Sequence, residues 1–469
     1  MKFFIFFFLY SIWASSATIA IIDTGFDLDH DFLRPKLVVD GESPIIRGKA
    51  WPIYDNSHLK APIISEKSLV QEILLYRSLK AKSHKEGLTI DEFEWLKKKN
   101  NDPDFLKEVK KFKKHAHGTF VAGIALREGD NIQVVPIRGL NLPSKVVAVS
   151  EEVTSTPALA PVVNPDEKFK QKVEASIKKV TNKFDRLVGH IASKKIEIVN
   201  ASYGINFYSV QKRFKEKYKE ITGKEIDENY LKTIITYYFD ELFKKTSTTI
   251  QKYPHLLFVF SAGNNSLNND EFPHYPSKLK FPNTLSVAAL NGDYLASFSN
   301  YGKLSVDIAA PGVGILSLVP KVYSESTEDL YSPASGTSMA APFISNLAAQ
   351  ILNLNPLLKP EEIKKIILDT GDNKPYLSEL LLSGSLVNNQ RALKAALLSK
   401  GQNLNEAINL AKSDLILTED KLNITTSPPV APEEIKAKIL NSIPTYIPVE
   451  ETDDVTTSKE VPPLPLQTQ

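Results

Sequence analysis

Apolar residues gather into short, nearly unbroken runs along most of the chain. These are Thr18-Ile19-Ala20-Ile21-Ile22, Ile132-Gln133-Val134-Val135-Pro136-Ile137, Ile196-Glu197-Ile198-Val199, Leu256-Leu257-Phe258-Val259-Phe260 and Thr284-Leu285-Ser286-Val287-Ala288-Ala289. Runs this short and this apolar suit strands buried on both faces of a parallel sheet. Segments of helical period lie between most of them, so the expected fold class is α/β, a mostly parallel central sheet flanked by helices. Three stretches break the rhythm. Residues 41–115 are Lys-rich and partly helical, with Asp91 to Leu96 leading into Lys97-Lys98-Lys99; residues 141–168 are rich in Pro, Val and Ser; residues 207–252 carry Leu231, Ile234, Ile235, Tyr238 and Leu242 at helical spacing. All three are expected as surface insertions. No repeat of solenoid period is evident.

The two ends follow other patterns. Lys2 precedes the apolar run Phe3 to Leu9, and small residues follow at Ala14-Ser15-Ser16-Ala17. Ser15 and Ala17 meet the small-x-small requirement of a signal peptidase, and the run falls short of the ~20 residues a spanning helix needs. Residues 1–17 are therefore expected to be a secretory signal, the protein secreted or periplasmic, with no stable membrane span after cleavage. From about residue 400 strong periodicity fades, and Ser427-Pro428-Pro429 and Val461-Pro462-Pro463 mark an extended, poorly packed tail over 400–469. Within it, Ala431 to Leu440 has a helix start at Pro432-Glu433. One folded unit is left over 18–399.

Composition adds exclusions. Hydrophobic residues at 42% and charged residues at 24% of 469 rule out a fibrous or wholly disordered chain. A net charge of +2 gives no global field for gripping nucleic acid or an anionic membrane. The absence of Cys excludes disulfides, thiolate metal sites and cysteine nucleophiles.

Candidate chemistry sits at three junctions of an apolar run with glycine: Ile21-Ile22-Asp23-Thr24-Gly25, His117-Gly118-Thr119-Phe120-Val121-Ala122-Gly123 and Ser335-Gly336-Thr337-Ser338-Met339-Ala340-Ala341-Pro342. Each puts a reactive side chain where a strand ends or a helix begins, at the sheet edge where α/β sites lie. A serine hydroxyl needs a base to take its proton, and an imidazole base needs a carboxylate to hold its tautomer and offset its charge. A fourth segment, Ser261-Ala262-Gly263-Asn264, ends a strand with a carboxamide whose NH2, beside the Ser338 N–H, would stabilise the anionic oxygen of an attacked acyl group.

In these residues and their Asp, His, Ser order the chain resembles the subtilisin-like serine proteases, the subtilase family. The likeness spans roughly residues 18–398, insertions excepted. Secondary features share it: Val199 to Gly204, Ala296 to Gly302, Asp307 to Gly312, and Ser385 to Asn388 with Ala392-Leu393. It implies a three-layer peptidase domain and peptide-bond hydrolysis through an acyl-enzyme. In this likeness Asp23 orients, His117 is base and then acid, Ser338 is the nucleophile and Asn264 serves the oxyanion. Substrate contacts would come from Ser202, Tyr203, Gly204, Ser261, Ala262 and Gly263, with His274 near the base of the first specificity pocket. The partner would be a protein or peptide substrate.

Several positions admit other readings. Asp23-Thr24-Gly25 matches an aspartic-protease signature, with a second copy at Asp369-Thr370-Gly371, but the second copy reads better as the end of a helix begun at Pro360. His115 reads as an exposed neighbour of the base, the Lys107 to Lys114 run as a solvated helix face, and Met339 as packing. A rival from another class is a non-catalytic or latent binding protein on the same scaffold.

The chain also departs from the family pattern. Phe120 and Phe343 stand where histidines are common, and are expected to touch as a coupled apolar replacement. Ile344-Ser345-Asn346 replaces a small-residue run, so packing there is expected to change. Phe32 and Leu33 occupy the stretch that usually carries a calcium ligand, with Asp29 and Asp31 only nearby; calcium has no matched ligand, and no cofactor or metal site is assigned. Thr18 begins the Asp23 strand and leaves no room for a pro-domain, so folding and inhibition would fall to the insertions, the tail, or a separate inhibitor or folding partner.

Overall fold

The computed structural model describes residues 16–38, 64, 66–85, 87–129, 131–139, 164–323 and 330–413. The expected signal segment up to residue 15, residues 141–163 of the second insertion and most of the expected tail lie outside them.

The strands are β1 (Ala17–Asp23), β2 (Ile132–Arg138), β3 (Ile198–Ala201), β4 (Leu257–Ser261), β5 (Thr284–Asn291), β6 (Tyr294–Leu295), β7 (Ile308–Pro311), β8 (Ile315–Val319), β9 (Leu330–Ala334), β10 (Asp372–Asn373) and β11 (Ser385–Leu386). The main sheet runs β10-β11-β7-β5-β4-β3-β1-β2, with β6 paired to β5. From β11 to β2 every pairing along this path is parallel. The ends of β1, β3 and β4 therefore meet at one edge, and the registers Ile21 with Asn200 and Ala201 with Phe260 bring Asp23, Ser202 and Asn264 to it. β8 and β9 form a separate antiparallel hairpin.

The helices are α1 (Lys67–Lys85), α2 (Ile90–Asn100), α3 (Pro103–Ala125), α4 (Pro165–Ala192), α5 (Phe207–Thr222), α6 (Glu228–Lys252), α7 (Thr337–Leu354), α8 (Pro360–Asp369), α9 (Asn389–Leu398) and α10 (Leu404–Ser413). Alternate strand residues feed opposite layers, as the two-residue period of a strand requires. Ile19, Ile21, Ile198, Leu257 and Val259 pack with α3 and α7 on one face. Ala20, Ile22, Val199, Phe258 and Phe260 pack with Phe184, Leu187 and Ile191 of α4 on the other. Together these layers form the three-layer α/β fold expected from the apolar runs.

Two insertions build cores of their own. Ile73, Leu79, Leu96, Phe105 and Phe112 of α1, α2 and α3 close over Val319 and Tyr323. Phe169, Phe214, Leu231, Ile235, Tyr238 and Leu242 join α4, α5 and α6. At about 1.5–3 kcal/mol for each large side chain buried, these clusters hold their helices firmly to the domain. Side-chain caps set the starts: Thr89 and Glu92 form a reciprocal box on α2, and Asp102 accepts from Phe105 N at 2.9 Å on α3.

Two boundaries differ from expectation. Packed chain does not stop at 399, because α10 lays Ala407, Ile408 and Ala411 into the core beside α9. β1 begins at Ala17, whose N–H donates to Asn353 Oδ1 at 2.9 Å, one residue ahead of the expected cleavage point.

Candidate active site

Asp23 is the last residue of β1, with its carboxylate buried. His117 lies on α3, and its Nδ1 is 2.8 Å from both Asp23 carboxylate oxygens. The aspartate also accepts from Thr24 N at 2.6 Å. The imidazole remains 21% exposed against 0% for the carboxylate, so its far nitrogen can meet a substrate while the aspartate meets only protein. Gly118 makes this approach possible: a Cβ there would fall 2.2 Å from the Gly25 carbonyl oxygen, so only glycine lets α3 come so close to the end of β1.

Ser338 is the second residue of α7, where backbone N–H groups have no partner within the helix and carry the positive end of its dipole. Four residues on, Pro342 stands inside the helix and has no N–H to give to the Ser338 carbonyl. Ser202 Oγ supplies the missing donor at 3.0 Å, while the Ser338 hydroxyl donates to the Ser202 carbonyl at 3.1 Å. Behind them Ser345 Oγ donates to Asn200 Oδ1 at 3.0 Å, and Asn200 Nδ2 to Ser202 Oγ at 3.0 Å. A buried polar chain thus ties the serine helix to β3. Phe120, one turn beyond His117, and Met339, next to Ser338, share one apolar cluster, which holds the two helix segments together.

Asn264 is exposed just past β4. Its Oδ1 accepts from Thr337 N at 2.8 Å and Thr337 Oγ1 at 3.0 Å. Because a backbone N–H must meet an oxygen, the amide is oriented with Oδ1 on Thr337, which leaves its NH2 to the other side. Gly263 N donates to Thr337 Oγ1 at 3.1 Å, and Asn300 Oδ1 accepts from Asn265 N at 2.8 Å, so the loop is fixed from both sides.

The expected substrate contacts divide. Tyr203 and Gly204 are accessible, whereas Ser202, Ser261, Ala262 and Gly263 are buried, and Ala262 spends its carbonyl on Asn269 Nδ2 at 2.9 Å. His274 lies between the two segments: a Cβ on Gly204 would be 2.0 Å from its Cε1, and one on Gly263 would be 3.0 Å from its Cδ2. Its Nδ1 is 2.8 Å from Ser277 Oγ. Desolvation lowers its pKa to about 4, so the ring is neutral.

Several expectations need correction. His115 is not exposed; it packs edge-on against Tyr323, and its Nδ1 is 2.8 Å from the Tyr323 hydroxyl. Phe120 and Phe343 share one apolar cluster with Met339 without a ring-on-ring pairing, and Arg77 lies over Phe120 at 5.4 Å from the ring centroid. Met339 is buried packing, and Asp369 ends α8, as read from the sequence. Asn346 does change the packing: its Nδ2 donates to the Ala125 and Glu128 carbonyls at 2.9 and 2.8 Å and so caps α3. Asn200, Ser345 and Thr337 went unassigned in the sequence, and their only signal there is a polar residue inside an apolar run.

Fold and site define a class: a parallel α/β protein with an aspartate–histidine pair and a serine at a helix N-terminus. The subtilase family model matches residues 14–393, and the chain belongs to that family. Subtilisin-like protease 2 of Plasmodium falciparum is 33% identical over 147 residues, 30% of this chain and 10% of that protein. Subtilisin-like protease 1 of Plasmodium berghei is 25% identical over 293 residues, 61% of this chain and 40% of that protein. The extracellular basic protease of Dichelobacter nodosus is 34% identical over 146 residues, 30% of this chain and 23% of that protein. The chain therefore spans well under two thirds of these relatives. Among solved structures, a lanthipeptide protease aligns at 17% identity and TM-score 0.46, over 81% of this chain and 87% of that one.

Proposed function

We propose that this chain is an exported serine endopeptidase that hydrolyses peptide bonds through an acyl-enzyme on Ser338. The observation that carries the reading is the pairing of His117 Nδ1 with both oxygens of buried Asp23. That pairing fixes the proton on Nδ1, leaves the other nitrogen basic and offsets the charge the ring gains. On substrate binding the Ser338 hydroxyl turns from the Ser202 carbonyl to His117, gives up its proton and attacks the acyl carbon. The developing oxyanion meets the Asn264 NH2 and the Ser338 N–H at the dipole of α7. His117 then protonates the leaving amine, and a water deprotonated by His117 releases the acyl group. Export rests on the apolar start of the chain; no described helix is long and apolar enough to cross a membrane.

The test is hydrolysis of casein and of internally quenched peptides by the wild-type chain and by Ser338→Ala. Hydrolysis by the first and none by the second is expected. Equal behaviour of the two would replace this reading with that of a binding protein on the same scaffold.

A further inference from the structure

A cavity of about 440 Å³ opens beside the Tyr203-Gly204-Ile205 segment. Gly204 and Tyr275 also line it, so it adjoins the space where His274 lies but extends to the β1 and β2 side of β3. Ile22 and Gly139, at the ends of β1 and β2, line the cavity, and they place it next to Asp23 at the edge that carries the site. Its wall from α4 is apolar at Val180, Phe184 and Leu187, yet Lys179 and Lys183 stand in the same wall. Neither lysine has a hydrogen bond or ion pair among the described residues. Lys183 is half-buried, and desolvation, with Lys179 adding to it, lowers its pKa to about 8, so it is still mainly a cation at neutral pH.

An unpaired ammonium in an apolar wall has lost hydration without gaining a counter-charge. An incoming carboxylate supplies that charge to half-buried Lys183, where the pair is screened less than one on the open surface, and exposed Lys179 adds a second positive charge nearby. We infer that this cavity is a substrate subsite that selects a glutamate-type side chain, its methylenes against Phe184 and Leu187 and its carboxylate on Lys183 and Lys179. A peptide laid along the Tyr203–Ile205 segment sends alternate side chains to opposite sides. The residue selected is therefore a neighbour of the one at the scissile bond rather than that residue itself.

The inference rests on the peptidase reading, and its test keeps the two apart. Internally quenched peptides with Glu or Gln at each position on the acyl side of the scissile bond are compared by kcat/KM in wild type, Lys183→Met and Lys183→Arg. The Glu/Gln ratio is taken within each protein, so it does not depend on how much of that protein is active. At one position wild type should prefer Glu about tenfold, the size of one charge-assisted hydrogen bond. Lys183→Met should bring the ratio to near one, and Lys183→Arg should keep most of it. Hydrolysis with no position whose Glu preference depends on Lys183 overturns the subsite while the peptidase reading stands. No hydrolysis of any peptide, with Ser338 unreactive in folded protein, overturns both.

Discussion

Asn264 illustrates how single residues divide their duties: its carbonyl is spent on Thr337, and in the proposed mechanism its NH2 serves the oxyanion. Asn264→Ala should therefore lower kcat by about 10²–10³ with little change in KM, a magnitude that comes from subtilisin, of the same family. Steady-state kinetics on one peptide check it, and an effect confined to KM would contradict it. His274 makes a second prediction. Its pKa is lowered to about 4 by burial, whereas an unfolded histidine titrates near 6.5. Between those values the unfolded chain binds a proton that the folded chain does not, so stability is lost as pH falls through that window, by about 3 kcal/mol in all. Urea denaturation at pH 7 and 4.5 should show His274→Gln losing less on acidification than wild type. At this scale Asp23, His117, Ser338 and Asn264 stand out in the sequence as candidates because each lies in a short motif whose chemistry needs that residue type. His115 was misread because its partner, Tyr323, is over 200 residues away and no local pattern announces it.

At the scale of elements, α7 is both scaffold and part of the site, and Pro342 is where the two meet. Ser202→Ala would strip the donor from the Ser338 carbonyl and should cost about 1–3 kcal/mol. Adding Pro342→Ala restores an N–H four residues along the helix and should recover part of that loss in urea denaturation. Strict additivity of the two changes would contradict the assignment. The strands were legible as elements because burial on both faces leaves them almost wholly apolar. Less visible was that α3 runs without a break from the first insertion into the His117 segment, since its Lys-rich half and its apolar half read as different things. The helix α10 falls in the stretch assigned to the tail from the proline-rich segments beyond it, although Leu404, Ala407, Ile408 and Ala411 stand at helical spacing.

Across the whole molecule, the layer of α8 is locked to the sheet by a buried charge. Asp307 is fully buried, with Lys280 Nζ at 2.6 Å and Lys364 Nζ at 3.2 Å from Oδ1, and its Oδ2 accepts from Ser286 N at 2.7 Å. Asp307→Asn would leave two cations facing each other with no counter-charge and should cost about 3–5 kcal/mol. Because Asp307 lies at the start of its strand, away from Asp23, activity per folded molecule should hold. Denaturation and active-site titration together check this, and a small loss of stability would contradict it. The two insertions add helices around this frame without altering its edge, which is why the site was legible in the sequence although they interrupt its motifs. The account as a whole depends on His117 activating Ser338. Its most direct test is to treat the protein with a fluorophosphonate and locate the adduct by mass spectrometry. The account predicts one adduct, on Ser338, absent when His117 is replaced by alanine; folded protein that takes up no label at Ser338 would contradict it.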